Sequence, residues 1–507
     1  MRSAHRVADI RVAEHALMAS LADGALMQRA AFGLASACAG LLPNVYGSRL
    51  AVLAGSGDNG GDALHAGAIL AGRGAAVTAI AAGSRVHKGG LKALLQAGGR
   101  VVAAAGAADA GAVSPAARQA VGSAELVIDG LLGIGGQGGL REPAASLASL
   151  AERSAAIVVA VDLPSGIDAD TGEVAGAAIR ADVTITFGTW KPGLLVDPGA
   201  SHAGVTELID IGLAPYLGGP AVMAPQAADI AGWLPRPSAE SDKYRRGVLG
   251  VLAGSGEFTG AAVLSVGGAV RGGAGMVRLV SAGRAAAVVR QYWPEAVITV
   301  VDAGQQAERS ASQVIEGAGR VQAWVAGPGM GTDDAAGDLL EAVLSTDVPV
   351  LVDADGITML AARRDLLKRG APTLITPHAG ELARLLGAQR EDIEARRLEF
   401  ARLAAAELGV IVLLKGSTTV VAVPPDGEPV LANPTGTSWL ATAGSGDVLS
   451  GLAGSLLAQG LQPQRAAAAA AYLHGVAARL AAEGAPIGAA DLLRSLSPAL
   501  RTVAGPD

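Results

Sequence analysis

Two sets of residues in this chain have the types and spacings from which chemistry can be built. In the first half, Gly55-Ser56-Gly57-Asp58-Asn59-Gly60-Gly61-Asp62 follows one apolar run. Asp129-Gly130-Leu131-Leu132-Gly133-Ile134-Gly135-Gly136-Gln137-Gly138-Gly139 follows a second, and Asp162-Leu163-Pro164-Ser165-Gly166-Ile167-Asp168 a third. Glycine lets the backbone reach a ligand, and a helix N-terminus offers free N–H groups to an anion. Ligands of open α/β sheets bind outside the carboxyl ends of the strands, where all three segments fall. The aspartates cannot all face a phosphate without repulsion, so a bound cation or acid–base work is needed to reconcile them. Three helix N-caps would account for each Asp and Ser singly, but not for the glycines around them.

In the second half the most informative stretch is Ala443-Gly444-Ser445-Gly446-Asp447. A GxGD at a helix start directs backbone N–H groups at a developing negative charge, while the Asp carboxylate can take a proton from a substrate hydroxyl. That is the chemistry of phosphoryl transfer to an alcohol; a capping aspartate is the plainer alternative. Around it stand Gly327-Pro328-Gly329-Met330-Gly331, Asp353-Ala354-Asp355-Gly356, Thr376-Pro377-His378-Ala379-Gly380-Glu381 and Lys415-Gly416-Ser417-Thr418-Thr419. A lone histidine is usually structural, but His378 lies in a loop after a strand and is expected to face ligand.

These loops need strands to hold them. Apolar runs at 49–53, 76–81, 126–128, 156–161 and 183–187 read as buried strands, separated by alanine-rich helical stretches such as 62–72 and 143–153. Alternation of this kind implies parallel strands with crossover helices. Prolines crowd the stretch around 215–237, and a second series follows with strands near 250–253, 323–326, 350–352, 373–375 and 410–414. The expected class is α/β: a Rossmann-like three-layer αβα domain over 1–215, a linker over 216–240, and a second α/β domain over 241–507. The hexapeptide VLAGSG occurs at 52–57 and again at 251–256, but its continuations differ, so the copies read as independent strand-to-loop solutions rather than a duplication.

At 507 residues the chain exceeds one ordinary core, and two domains are the default. A net charge of -7 with scattered basic residues leaves no footprint for nucleic acid. No apolar run approaches the ~20 residues that cross a bilayer, and the first residues have no signal-like apolar segment, so no membrane association and a cytoplasmic location are expected. The single cysteine, Cys38, rules out an internal disulfide and reads as a small buried apolar residue.

With GSGDNGGD, DGLLGIGGQGG, VDLPSGIDADTG and TFGTWKPG in place, the first half resembles the YjeF N-terminal family, which includes NAD(P)HX epimerases. The resemblance implies interconversion of the R and S hydrates of NADH and NADPH, and a bound potassium ion with Asn59, Asp129 and Ser165 as ligands. It implies that Asp58, Asn59, Gly60, Gly61 and Asp62, with Gly133, Ile134, Gly135, Gly136, Gln137, Gly138 and Gly139, hold the substrate. Asp162 would contact the reacting end, with Lys191 as its electrostatic or acid–base partner. The second half resembles the YjeF C-terminal family of ADP- or ATP-dependent NAD(P)HX dehydratases, with a ribokinase-like fold. There the resemblance implies Asp447 as catalytic base. Ala261, Gly329 and His378 would line the hydrate site, and Lys415, Gly416, Ser417, Thr418, Thr419 and Gly446 would bind the nucleotide, with Mg2+ accompanying ADP or ATP. The S hydrate would be phosphorylated on its hydroxyl and lose phosphate. Asp58, Asp242 and Trp439 depart from the usual residues of these families. The expected partners are NADHX, NADPHX and ADP or ATP, in a homo-oligomer. The competing readings are a ribokinase-like vitamin-precursor kinase with a regulatory N-terminal ligand-binding domain, and an N-terminal half that only binds.

Overall fold

The computed structural model describes residues 1–83, 85–105, 112–301, 309–424 and 428–505. The chain forms two compact units, Ser3–Val222 and Met223–Asp507, the second also taking in Met1–Arg2.

In the N-terminal unit a seven-stranded sheet runs in the order Arg100–Ala103, Ala76–Ala81, Arg49–Ala54, Leu126–Gly130, Ile157–Val161, Val183–Phe187, Val205–Ile209. Every neighbouring pair is parallel. Its inner strands are near-continuous apolar runs because both faces are covered. Along Arg49–Ala54, Val52 and Ala54 join one core, and Ala51 and Leu53 the other. This two-residue alternation puts helices such as Ala25–Leu41 and Asp58–Gly72 over one face and Pro115–Gly122 and Ala144–Glu152 over the other. The chain order reverses between Arg49–Ala54 and Leu126–Gly130, the position where such sheets open a crevice. Leu53 pairs with Asp129 and Ala54 with Gly130, so two of the glycine-rich loops start side by side there. Asp129 and Gly130 are themselves strand residues, a little further along than the apolar run alone marks. Cys38 is fully buried, and burial pushes its thiol up to about 12.

The C-terminal unit repeats this logic. Its parallel strands lie in the order Ile411–Leu414, Thr373–Ile375, Val350–Val352, Ala323–Ala326, Val248–Leu252, Met276–Ser281, Val297–Val300. Val420–Ala422 and Val430–Ala432 extend the sheet antiparallel. The order reverses between Val248–Leu252 and Ala323–Ala326. The alanine-rich helix Pro463–Ala482 buries most of its alanines against this core, where small side chains permit close approach. Within the segment expected as linker, Val222–Ala224 is a strand and Ala227–Trp233 a helix, started by a Gln226–Asp229 capping box and anchored by the fully buried Ile230. The prolines of this segment bound short elements instead of excluding them. Among the described residues no helix is long and apolar enough to cross a membrane.

Candidate active sites

The N-terminal site is built around close backbone approaches. A Cβ at Gly55 would lie 1.9 Å from Leu131 O, one at Gly60 2.4 Å from Gly55 O, and one at Gly133 3.0 Å from Asn59 Oδ1. Only glycine fits against backbone at Gly55 and Gly60, and Gly133 leaves little room beside Asn59, which is why the two loops interlock. Helix Asp58–Gly72 then begins with its N-terminus at this junction, carrying Asp58, Asn59 and Asp62 in its first turns.

Asn59, Asp129 and Ser165 are brought together. Ser165 Oγ donates to Asp129 Oδ1 at 2.7 Å and Ser165 N donates to Asp129 Oδ2 at 2.8 Å, while Asn59 Nδ2 donates to Leu132 O at 2.9 Å and Val161 O at 2.7 Å. Ser165 Oγ also lies 3.1 Å from Leu132 O. Asp129 is fully buried, and burial raises its carboxyl to about 6 against the hydrogen bonds from Ser165 and Leu131 that favour the charged form.

Asp162, the residue after strand Ile157–Val161, takes φ 67°, a conformation uncommon for residues other than glycine. Lys191 Nζ donates to Asp162 Oδ1, to Thr186 Oγ1 at 3.0 Å and to Phe187 O at 3.1 Å, so all three ammonium donors are used on a side chain 1% exposed. Asp62 stands differently. Its Oδ1 is buried without a hydrogen-bond partner among the described residues, and burial, then Asp162, Asp58 and Glu14, hold its carboxyl well above the ordinary range. Ile134, Gly135, Gly136, Gln137 and Gly138 form the partly or fully exposed run of the adjoining loop, and Gly139 packs on Gly176.

In the C-terminal unit, helix Ser445–Ala458 starts after Gly444, which takes φ 84°, and carries Asp447 in its first turn. Burial, then the neighbouring Asp353, raise the Asp447 carboxyl to about 7, with Lys415 opposing. Lys415 Nζ donates to Asp353 Oδ1 at 2.8 Å and stands 3.9 Å from Glu381 Oε2, while Ser450 Oγ donates to Asp353 Oδ2 at 2.6 Å. A Cβ at Gly446 would lie 3.5 Å from Lys415 Nζ and 3.8 Å from Asp353 Oδ2, so the GxGD turn faces this pair. Lys415 therefore sits beside Asp447, and Gly416, Ser417, Thr418 and Thr419 continue from it toward strand Val420–Ala422.

Gly329, at φ 57°, is packed against Ala261, whose Cβ would be 2.7 Å from a Cβ there. His378 caps helix Ala379–Leu386, its Nδ1 accepting from Gly380 N at 3.0 Å and Glu381 N at 3.2 Å, while its ring remains more than half exposed. It thus has a structural duty and an accessible ring together. Asp353, Glu381 and Ser450 received no role from the sequence; the signal for Asp353 was an acid at a strand end, and its partners come from distant segments.

The family model described as "YjeF-related protein N-terminus" matches residues 23–193, and the one described as "NAD(P)H-hydrate dehydratase" matches 249–500. The bifunctional NAD(P)H-hydrate repair enzyme Nnr of Mycobacterium tuberculosis strain H37Rv is 48% identical over 92% of this chain and 92% of its own length. That of Mycobacterium leprae is 48% identical over 95% of this chain and 94% of its own. The chain belongs to the bifunctional NAD(P)H-hydrate repair enzymes. Its C-terminal unit is also similar to the ADP/ATP-dependent NAD(P)H-hydrate dehydratase of Bacillus subtilis co-crystallised with ATP/Mg2+, with TM-score 0.50, 30% identity, 56% of this chain and 99% of that one covered. Membership of the repair enzymes across both units favours this reading over the vitamin-precursor kinase and over an N-terminal half that only binds.

Proposed function

We propose that the N-terminal unit epimerises the R and S hydrates of NADH and NADPH, and that the C-terminal unit dehydrates the S hydrate to NADH or NADPH, converting ADP or ATP to AMP or ADP and phosphate. The observation that carries the second half is Asp447: a helix-start carboxyl raised to about 7, in a glycine turn whose Gly446 faces Lys415 and Asp353. Such a carboxylate takes the hydroxyl proton as the phosphoryl group arrives, while the backbone N–H groups around Gly446 and the Lys415 ammonium stabilise the charge on the transferred phosphate. Lys415, Gly416, Ser417, Thr418, Thr419 and Gly446 serve the nucleotide in this reading, and Ala261, Gly329 and His378 the hydrate. Mg2+ accompanies the nucleotide and offsets its phosphate charge.

In the N-terminal unit the glycine junction and loop 133–139 admit the hydrate, with Asp162 at its reacting end. Lys191, fully occupied, orients Asp162 rather than moving to substrate. Asp129, Ser165 Oγ and the carbonyls of Leu132 and Val161 offer oxygen ligands around one buried carboxylate, which suits a monovalent cation such as K+; Asn59, whose Nδ2 donates to both carbonyls, would join them through its amide oxygen once that amide is turned over. The ion would supply a fixed positive charge beside Asp129. A cytoplasmic homo-oligomer completes the reading, and sedimentation tests its oligomeric state.

The test is to incubate the full chain with each NADHX epimer, with and without ADP or ATP and in K+ or Na+ buffer, following dihydronicotinamide absorbance. Recovery from S that needs nucleotide, and from R only after conversion to S, is expected. Recovery independent of nucleotide contradicts the proposal.

A further inference from the structure

Helix Val7–Met18 precedes the segment matched by the N-terminal family model, which starts at 23, and its sequence has no signature of chemistry. The structure nevertheless ties it to the epimerase residues. Ala4 bridges Trp190, His5 N donates to Trp190 O at 3.0 Å, His5 Nδ1 and Thr189 Oγ1 are 2.7 Å apart, and Val7 N donates to Asp170 Oδ1 at 2.8 Å. Lys191 follows Trp190 directly. Anchored in this way, the helix puts Arg11 Nη2 3.1 Å from where a Cβ on Gly135 would lie, against the glycine loop. One turn later Glu14 is partly buried and near enough to Asp162, Lys191, Asp58 and Arg11 to feel their charges. Burial and then Asp162 hold its carboxyl above the ordinary range, with Lys191 and Arg11 opposing and Asp58 adding to the rise. Asp62, whose Oδ1 is buried and without a hydrogen-bond partner among the described residues, completes the group. Among the described residues the one buried ammonium nearby, Lys191, is already committed to Asp162, Thr186 and Phe187. A carboxyl of this group that keeps its proton relieves the repulsion, and that proton is then available to substrate.

We infer that Glu14 is a proton donor of the epimerase and that Arg11 holds a phosphate of the hydrate against loop 133–139. The inference rests on the epimerase reading of this site. Hydration of an enamine double bond puts the hydroxyl on the carbon beside the ring nitrogen. The Glu14 proton passes to that hydroxyl, the C–O bond breaks, water leaves, and the nitrogen lone pair forms a C=N+ bond. A water then adds to the other face of the same carbon, the C=N+ pair returns to nitrogen, and a carboxylate accepts the proton the water gives up. Atoms and charge balance, and no oxidant is needed.

The test uses the full chain and the Glu14→Gln, Glu14→Asp and Arg11→Ala variants, with His15→Gln on the exposed side of the same helix as control. Each is assayed for interconversion of purified R and S NADHX in ordinary and 18O water, and for ADP-dependent dehydration of S as the check on folding. Glu14→Gln is expected to lower epimerase kcat by about 10²-fold or more, the range for a positioned acid or base. Glu14→Asp should recover at least about tenfold of that loss, and the kcat decline at high pH, where Glu14 gives up its proton, should vanish in the Gln variant. Arg11→Ala should raise KM by about tenfold at little cost to kcat, as expected for one charge-assisted contact. His15→Gln should match wild type, and epimerised product should carry 18O. Glu14→Gln within about twofold of wild type, no recovery in Glu14→Asp, an unmoved KM in Arg11→Ala, or no 18O uptake would each overturn the inference. A wild-type chain that fails to interconvert the epimers would instead remove the epimerase reading itself.

Discussion

The segments Val52-Leu53-Ala54-Gly55-Ser56-Gly57 and Val251-Leu252-Ala253-Gly254-Ser255-Gly256 are the same six residues, and each leaves its sheet at the strand where the order reverses. Gly55 N donates to Gly130 O at 3.0 Å and Gly254 N to Pro328 O at 2.8 Å, so each turn is tied to the glycine loop of the adjoining strand. Beyond this the two part. Gly254 takes φ 80°, whereas Gly55 keeps an ordinary φ but leaves no room for a side chain beneath Leu131 O. Helix Asp58–Gly72 begins directly after the first copy, but helix Thr259–Arg271 only after Glu257 and Phe258. The first turn thereby delivers Asn59 to the carbonyls of Leu132 and Val161 and Asp62 among Asp58, Asp162 and Glu14; the second leaves Phe258 and Ala261 beneath Gly329. Equal sequence at equal topology acquires its chemistry from the helix start that succeeds it in the chain.

The largest effect expected from breaking this contrast is at Asp447. Asp447→Asn should reduce nucleotide-dependent dehydration by about 10²–10⁴-fold while epimerisation is unchanged, measured on separate epimers. Next comes Lys191→Met, which strands the Asp162 carboxylate in a buried position; removal of one partner of a buried pair costs about 3–5 kcal/mol, read as a fall in urea midpoint of the N-terminal unit. The pH dependence is smaller. Asp447 must be deprotonated to act and its carboxyl is raised to about 7, so dehydratase kcat should fall as pH drops through that value, by about tenfold per unit below it. A flat profile from neutral pH to well below it would contradict the base assignment.

The glycines of the two turns give the finest test. Gly254→Ala forces a left-handed φ on a side chain at about 1–2 kcal/mol and sets its Cβ 2.7 Å from that of Ala262, so the C-terminal unit should melt earlier. Gly57→Ala and Gly256→Ala meet nothing within 4 Å, and Gly57 has φ -92°, so neither should change stability by more than about 0.5 kcal/mol. A stability loss at Gly57 or Gly256 equal to that at Gly254 would contradict this division between the first and the last glycine of the turns.

The buried strands were legible because continuous apolar runs such as 49–53 and 350–352 have no other stable place than a covered parallel sheet. Edge strands Arg100–Ala103 and Val205–Ile209 were not, since their side chains are largely exposed and do not have the two covered faces that mark the inner strands. Asp129 was legible as an acid among glycines. Asp353 was not, because what distinguishes it is Lys415 and Ser450 brought from later segments. Glu14 and Arg11 were the least visible: charges on an amphipathic helix look like a solvated face until the fold turns them toward a site.

The central claim is that the chain carries two separable active sites, and mixing two crippled chains tests it most directly. Asp447→Asn and Asp162→Asn are each incubated with pure R NADHX and ADP, alone and together, and dihydronicotinamide absorbance is followed. Neither variant alone should restore NADH beyond the rate of uncatalysed epimerisation, and the mixture should restore it fully, because S hydrate made by one chain diffuses to the other. A mixture no faster than either variant by itself would contradict the account.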